Sequence, residues 1–237
     1  MRHLLPLLVF GFILIGAGAE DRSKPVKLFT EKGIPQGWKV VQWNEVSKPA
    51  PDGVKWEVDD EGILHGSKER GTWLISEAEY GDFELELEFK LPQTGNSGVA
   101  LRAPMHGDPA YDGMELQIVD PRYYGGKGEA EQLCGAIYRA IAPAKSVFKA
   151  EDWNKYQITC QGPHVKVMLN GEVIQDFNLD EQTKALHRDN PKVASPPLKD
   201  RPRKGHIGFQ NLSKEGHVQI RNVTLKVLDI EGEKNAK

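Results

Sequence analysis

Residues 114–120 read MELQIVD. Met114, Leu116 and Ile118 alternate with Glu115 and Gln117, which is the period of a strand with one buried face. Val119 breaks the alternation, and a one-residue slip of that kind brings Asp120 back to the face of Glu115 and Gln117, as a bulge would. Two carboxylates and an amide on one face suit general acid–base work, in which one group takes a proton while another delivers one. The plainer alternative is a row of polar rungs on an exposed strand. Just upstream, residues 97–104 read SGVALRAP, with Ala100 and Arg102 on one face and Val99 and Leu101 on the other. Arg102 is a permanently charged planar donor, expected either to pair with Glu115 or to meet an anion formed beside it.

The elements that must position these residues are strands. Residues 82–91, DFELELEFKL, place Phe83, Leu85, Leu87, Phe89 and Leu91 on one face and Glu84, Glu86, Glu88 and Lys90 on the other; the acids read as a solvated outer face. Further strands are expected over 153–162, 205–212 and 217–229, the last with a bulge at Asn222. Residues 164–177 form a hairpin turning at Asn170-Gly171. Helical periodicity is nearly absent, with one helical turn expected in 179–187 and a solvated Pro- and Lys-rich loop over 187–204. His206 reads as a structural histidine, and Trp153 as a core residue or a platform for a sugar. The fold class is all-β: one antiparallel β-sandwich of two sheets.

The ends divide as 1–19, a signal peptide with a short basic start, an apolar stretch and the small residues Ala17-Gly18-Ala19; 20–26, a polar leader; 27–229, the sandwich domain; and 230–237, a polar tail. Export to the periplasm or the exterior is expected, with no membrane association after cleavage. Net charge is −3, and the densest basic stretch, KDRPRKG at 199–205, is broken by Asp200, so nucleic acid is not an expected partner. Cys134 and Cys160 either pair or stay as buried thiols on separate strands. No metal-ligand spacing is visible; no metal or cofactor is expected, although a sandwich of this kind has room for a structural calcium.

Six segments in order, EYGDFELELEFKL, NSGVALRAP, YDGMELQIVD, GAIYRAIAPAK, EDWNKYQITCQGPHVKVMLNGEVI and GHIGFQ followed by VQIRNVTLKVL, resemble the 3-keto-disaccharide hydrolase domain family, also called the 3-keto-glucoside 1,2-lyase/3-keto-2-hydroxy-glucal hydratase domain. The resemblance implies a concanavalin A-like jelly roll with a sugar held on a concave sheet. It also implies an exported enzyme acting on a carbohydrate, and an upstream sugar 3-oxidoreductase that supplies the ketone. Two positions depart from the family pattern: Leu212 stands where many members carry histidine, and Cys134 where threonine or histidine is frequent.

The chemistry implied is removal of the hydrogen at C2, acidified by a ketone at C3, elimination of the C1 group, and hydration of the double bond. Glu115 and Asp120 are the expected base and acid, and Arg102 the partner of the enolate. Gln117, Tyr138, Lys145, Gln210, Tyr111 and Tyr124 are expected to bind the substrate. Laminarinase-like glucanases of the same fold carry Glu-x-Asp-x-x-Glu where this chain has Glu115-x-Gln117-x-x-Asp120. Direct hydrolysis of unoxidised glycans and a lectin-like, non-catalytic role are therefore the alternatives.

Overall fold

The computed structural model describes residues 24–188 and 194–228. The expected signal peptide, the first part of the leader and the polar tail lie outside the described residues. Two antiparallel sheets enclose one apolar core. The larger runs in the order Glu172–Asn178, His164–Leu169, Asn154–Gln161, Phe83–Lys90, Gln219–Val227, Leu64–His65 and Glu57–Val58, with Val26–Lys27 added beside Gln219–Val227. The other runs Glu45–Pro49, Trp38–Gln42, Thr72–Tyr80, Gly205–Asn211, Asn96–Ala103 and Met114–Val119.

Period two becomes packing most plainly in Phe83–Lys90. Phe83, Leu85, Leu87 and Phe89 are fully buried, while Glu84, Glu86 and Glu88 face out and pair across the sheet with Lys226, Lys155 and Arg221. The stability comes from the apolar row, because ion pairs this exposed contribute little. The hairpin turns at Asn170 and Gly171, whose φ of 53° and 86° are those of a type I′ turn. Asn222 sits at φ 52°, where the register with Phe83–Lys90 shifts, so the expected bulge is present. Trp153 lies under the Arg221 guanidinium, 3.9 Å from its ring centre. His206 is buried with Nδ1 2.8 Å from the Ser76 carbonyl.

In Asn96–Ala103, Met114–Val119 and Gly205–Asn211 every residue is buried, so both faces of that half of the sheet are covered. Val99, Leu101, Leu116, Ile118 and Phe209 enter the core between the sheets. On the outer face Val41, Val46, Trp73, Ile75, Ala100 and Ala103 form a second apolar cluster. The rest of that face carries polar side chains beneath loops.

Three expectations are corrected, and the alternative left open for the cysteines is resolved. The stretch 179–187 holds only a 3-10 turn, Leu179–Glu181, and then a short strand, Leu186–His187, paired with Ala194–Ser195. The basic stretch near 201 is not wholly solvated: Arg201 is buried and donates to the carbonyls of Ala110 and Gly113, bracing the turn that carries Tyr111. The two cysteines are free and buried, not bonded, and burial pushes the Cys134 thiol up to about 11 and the Cys160 thiol up to about 12.

The third correction concerns Arg102. His206 pairs with Ala103 and Gly208 with Ala100, which leaves one extra residue on the strand carrying Arg102, whose φ is 52°. This bulge turns Arg102 away from the face of Ala100 and into the space between the sheets. There it is 0% exposed and donates to the carbonyls of Gly81 (2.7 Å) and Gly162 (2.8 Å) and to Asp82 Oδ1 (3.0 Å). It is a clamp between sheets, not a partner of Glu115. Arg102→Met leaves the Gly81 and Gly162 carbonyls without the guanidinium donor and Asp82 without its cation, although Asp82 Oδ1 keeps the Gly162 amide, so urea unfolding should show a loss of about 3 kcal/mol. A loss under about 1 kcal/mol would contradict the clamp.

Candidate active site

Register places the site. Across the sheet, Gly208, Ala100 and Glu115 stand in one row, and Gly98 pairs with Gln117 in the next. Gln210 follows Phe209, which pairs with Val99, so it extends that second row. Glycine and alanine in the middle leave a hollow floor between polar flanks. The hollow is required: a Cβ built on Gly98 would lie 2.1 Å from Glu115 Oε1. The Glu115 carboxyl therefore rests over Gly98.

Loops close over this floor. Residues 135–138 run along the outer edge of Met114–Val119, with the Tyr138 amide donating to the Glu115 carbonyl (2.9 Å) and the Gln117 amide to the Ala136 carbonyl (2.9 Å). The short helix Pro109–Asp112 begins at Asp108, which caps it by accepting from the Ala110 amide at 3.0 Å. It carries Tyr111, whose ring meets Tyr138 edge-on at 6.1 Å. The cavity beneath them, open to solvent on one side, measures about 230 Å³, and Glu115, Gln117, Asp108, Asn96, Gln210, Tyr111, Tyr124, Tyr138, Leu212, Arg70 and Arg139 are among its walls.

Glu115 is 3% exposed. No cation pairs with it among the described residues. Burial first, and the negative charge of Asp108 second, push its pKa well above the ordinary carboxylate range. The fold thereby favours the protonated, neutral form of this carboxyl over the carboxylate. Gln117 is fixed by the backbone beside it: Oε1 accepts from the Ile118 amide at 3.0 Å, and Nε2 donates one of its two N–H groups to the Tyr124 hydroxyl at 3.5 Å. Burial, aided by the neighbouring Tyr138 and Glu115, pushes the Tyr124 phenol up, so it too keeps its proton. The site combines an acid, two further donors and a second carboxylate, Asp108.

Of the residues expected from sequence, the structure gathers Glu115, Gln117, Tyr111, Tyr124, Tyr138 and Gln210 around one cavity. It does not bring Asp120 there. The slip is real, since Ile118 and Val119 both enter the core, but Asp120 caps the 3-10 turn Pro121–Tyr124 and holds Arg122 through both oxygens, at 2.9 and 2.6 Å. Those bonds keep its carboxyl below the usual range, which suits an anchor better than a proton donor. Lys145 is exposed and paired with Glu172, outside the cavity. Sequence reasoning passed over Asp108 and Asn96. The Asp108-Pro109 pair is a helix-start signal and could have marked the first; nothing local marks Asn96. Among the described residues no cluster of three His, Cys, Asp or Glu is placed to hold a metal ion.

Gly98→Ala should push the Glu115 carboxyl off its seat toward water. Its titration, followed by carbon-13 NMR of the side-chain carboxyl, is then expected to move down toward ordinary glutamate values. An unchanged titration would show that Gly98 does not seat it.

The comparisons with known proteins agree with this fold. A search of the curated proteins finds no match. Among solved structures, a candidate glycosyl hydrolase of Parabacteroides distasonis superposes with a TM-score of 0.69 at 27% identity, covering 86% of this chain and 100% of that one. A second candidate glycosyl hydrolase of the same organism gives 0.64 at 23%, covering 89% and 97%. The laminarinase of Rhodothermus marinus shares the fold, at 0.53 and 12%, covering 87% and 97%. The model of the 3-keto-alpha-glucoside-1,2-lyase-like domain matches residues 24–226; the chain belongs to that family of carbohydrate-active domains.

Proposed function

We propose that this protein cleaves 3-keto-glycosides by elimination and hydration, and that Glu115 is its acid. The observation that carries the reading is a carboxyl buried without a paired cation, and so biased toward its neutral form, in a cavity of the size of one sugar ring. Elimination needs a proton delivered to the leaving oxygen on C1, and a carboxyl held protonated at neutral pH is suited to deliver it.

The steps balance as follows. Asp108, the second carboxylate of the cavity, takes the proton from C2, and the electron pair moves onto the C3 oxygen as an enolate. Gln117 Nε2 and the Tyr124 hydroxyl are the donors available to that oxygen, in place of Arg102. The enolate collapses, a C1–C2 double bond forms, the C1–O bond breaks, and Glu115 protonates the departing alcohol. Water then adds at C1 and gives a proton to the Glu115 carboxylate, while Asp108 returns one to C2. Both carboxyl groups end as they began, and no covalent sugar–enzyme bond is formed. The reading supposes a separate oxidoreductase that makes the C3 ketone, and export directed by residues 1–19.

A second reading has one specific support. Glu115 and Asp108 are two carboxyl groups on one cavity, which is also what direct hydrolysis of an unoxidised glycoside uses, with a separation of about 5–5.5 Å when configuration is retained.

Release of the C1 group from an aryl 3-keto-glucoside and from its unoxidised parent, followed in deuterated water, separates the two. Cleavage of the keto form alone with deuterium at C2 is expected. Cleavage of the parent would favour direct hydrolysis, and binding without cleavage of either would leave a lectin-like module. Glu115→Gln should lower turnover of the keto substrate by about 10²- to 10⁴-fold while changing its binding only a few-fold. Full activity in that variant would remove Glu115 from the mechanism.

A further inference from the structure

Away from the active-site cavity, two histidines and an aspartate form a chain that takes no part in the steps above. His65, at the end of Leu64–His65, has Nε2 2.7 Å from Asp59 Oδ2 and Nδ1 3.0 Å from His217 Nε2. Asp59 is held in place by its other oxygen, which accepts from the amides of Glu61 and Ile63, each at 2.9 Å. The bond to His65 is the first cause that keeps the Asp59 carboxyl below the usual range, so it stays an anion and accepts from His65 Nε2. A neutral His65 therefore has its lone pair on Nδ1, and His217 Nε2 supplies the proton between the rings. One further proton also fits. His65 becomes a cation against Asp59 and donates from Nδ1 to His217 Nε2, while His217 keeps a proton on Nδ1. A second further proton does not fit. Both rings would then turn an N–H toward the other across 3.0 Å, with two positive charges in contact.

The chain ties a loop to the larger sheet. That loop, 212–217, leads into Gln219–Val227. At its start the Leu212 amide donates to the Asn96 carbonyl and the Leu212 carbonyl accepts from Arg70 Nε, each at 2.9 Å, and Leu212 is a wall of the active-site cavity. Just past its end the Gly66 amide donates to the Val218 carbonyl at 2.9 Å. Lys214, Glu215 and Gly216 are exposed. Among the described residues, His217 is the one residue of 214–217 whose side chain makes a hydrogen bond.

Both rings are half-buried on a second cavity of about 620 Å³, which is open to solvent, so protons reach them. The other charges around that cavity offset one another. Lys55 pairs with Glu57 and Lys32 with Asp60, while Lys68 and Glu69 add one charge of each sign. The residue opposite His65 on Gln219–Val227 is the neutral Gln219. Burial first, then the charges of His65 and Lys68, hold the His217 pKa below the ordinary histidine value. For a base depressed in this way the contribution to stability is full above the unfolded value of 6.5 and falls away as the pH drops below it.

We propose that Asp59, His65 and His217 form an acid-released latch. With one proton between the rings it holds loop 212–217 against the sheet and keeps Leu212 in the cavity wall. The second further proton parts the rings and frees the loop, so mild acid loosens the substrate cavity from a site outside it.

The test is amide hydrogen exchange of the whole protein at pH 8 and pH 5, corrected for intrinsic exchange. In the wild type the amides of Gly66, Leu212 and Val218 should lose protection by about tenfold or more at pH 5, while those of Phe83–Lys90 do not. In His217→Gln the side-chain amide donates to a neutral His65 or, turned over, accepts from a cationic one, so protection should be the same at both pH values to within about twofold. Equal protection of the wild type at the two pH values, or a loss just as large in His217→Gln, would overturn the latch. Nitrogen-15 NMR of the two rings tests the wild type by itself. One proton shared by His65 Nδ1 and His217 Nε2 is expected wherever the three amides are protected, and two doubly protonated rings beneath protected amides would also overturn it.

Discussion

A carboxyl group biased toward its neutral form by burial is the constraint on which the site depends. Glu115 stands on a sheet whose two faces are both covered, one by the core and the other by loops, and the described residues give it no cation. Ionising it there would mean placing a charge in a poorly solvated cavity beside Asp108, and holding the proton is the cheaper state. Much of the surrounding sequence follows from housing that group. Gly98 must lack a side chain because the carboxyl occupies its place, Ala100 and Gly208 keep the neighbouring floor low, and Tyr138 is drawn beside Glu115 by backbone pairing along the strand edge. The proton is a property of the fold before it is a property of the chemistry.

The same strand serves both faces of the sheet by means of one extra residue. Up to Leu101 the alternation of Asn96–Ala103 sends small or polar groups outward and aliphatic groups inward. At Arg102 the bulge reverses the phase, and a guanidinium between the sheets ties Gly81 and Asp82, in the turn that joins the two sheets, to Gly162 just past Asn154–Gln161 of the opposing sheet. Had Arg102 remained on the outer face near Glu115, it would have favoured the ionised carboxylate and removed the neutral acid. Its burial between the sheets thus keeps the cavity free of that cation.

Most of the architecture was legible in the chain because period two is a direct consequence of a strand with one buried face. Glu115 and Gln117 could be placed on a common face from alternation, Gln210 and Tyr138 from the family resemblance, Tyr124 from its Gly-rich loop and Tyr111 as an aromatic platform for a sugar. Arg102 and Asp120 could not, for related reasons. A bulge changes which face a residue occupies, and its position depends on the partner strand. Asp120-Pro121 and Asp108-Pro109 both carry the signal of a capped turn, and both aspartates do cap one. Only the path of the loops decides that Asp108 faces the cavity while Asp120 is spent on Arg122. Asn96 has no local signal at all: its burial comes from loops distant in sequence.

The central claim is most directly tested by comparing the unfolding free energies of the wild type and Glu115→Gln between pH 4 and pH 8. A carboxyl whose pKa is raised on folding is protonated in both states at low pH and imposes no penalty there. Above its unfolded value of 4.5 the unfolded chain loses the proton while the folded one keeps it, so stability falls with rising pH by about 1.4 kcal/mol per pH unit until the folded group itself titrates. Glutamine is neutral throughout. The two proteins should therefore differ least near pH 4, with the glutamine variant gaining on the wild type as the pH rises toward 7. Parallel curves, or a glutamine variant that loses ground as the pH rises, would mean that Glu115 is ionised in the folded protein and is not its acid.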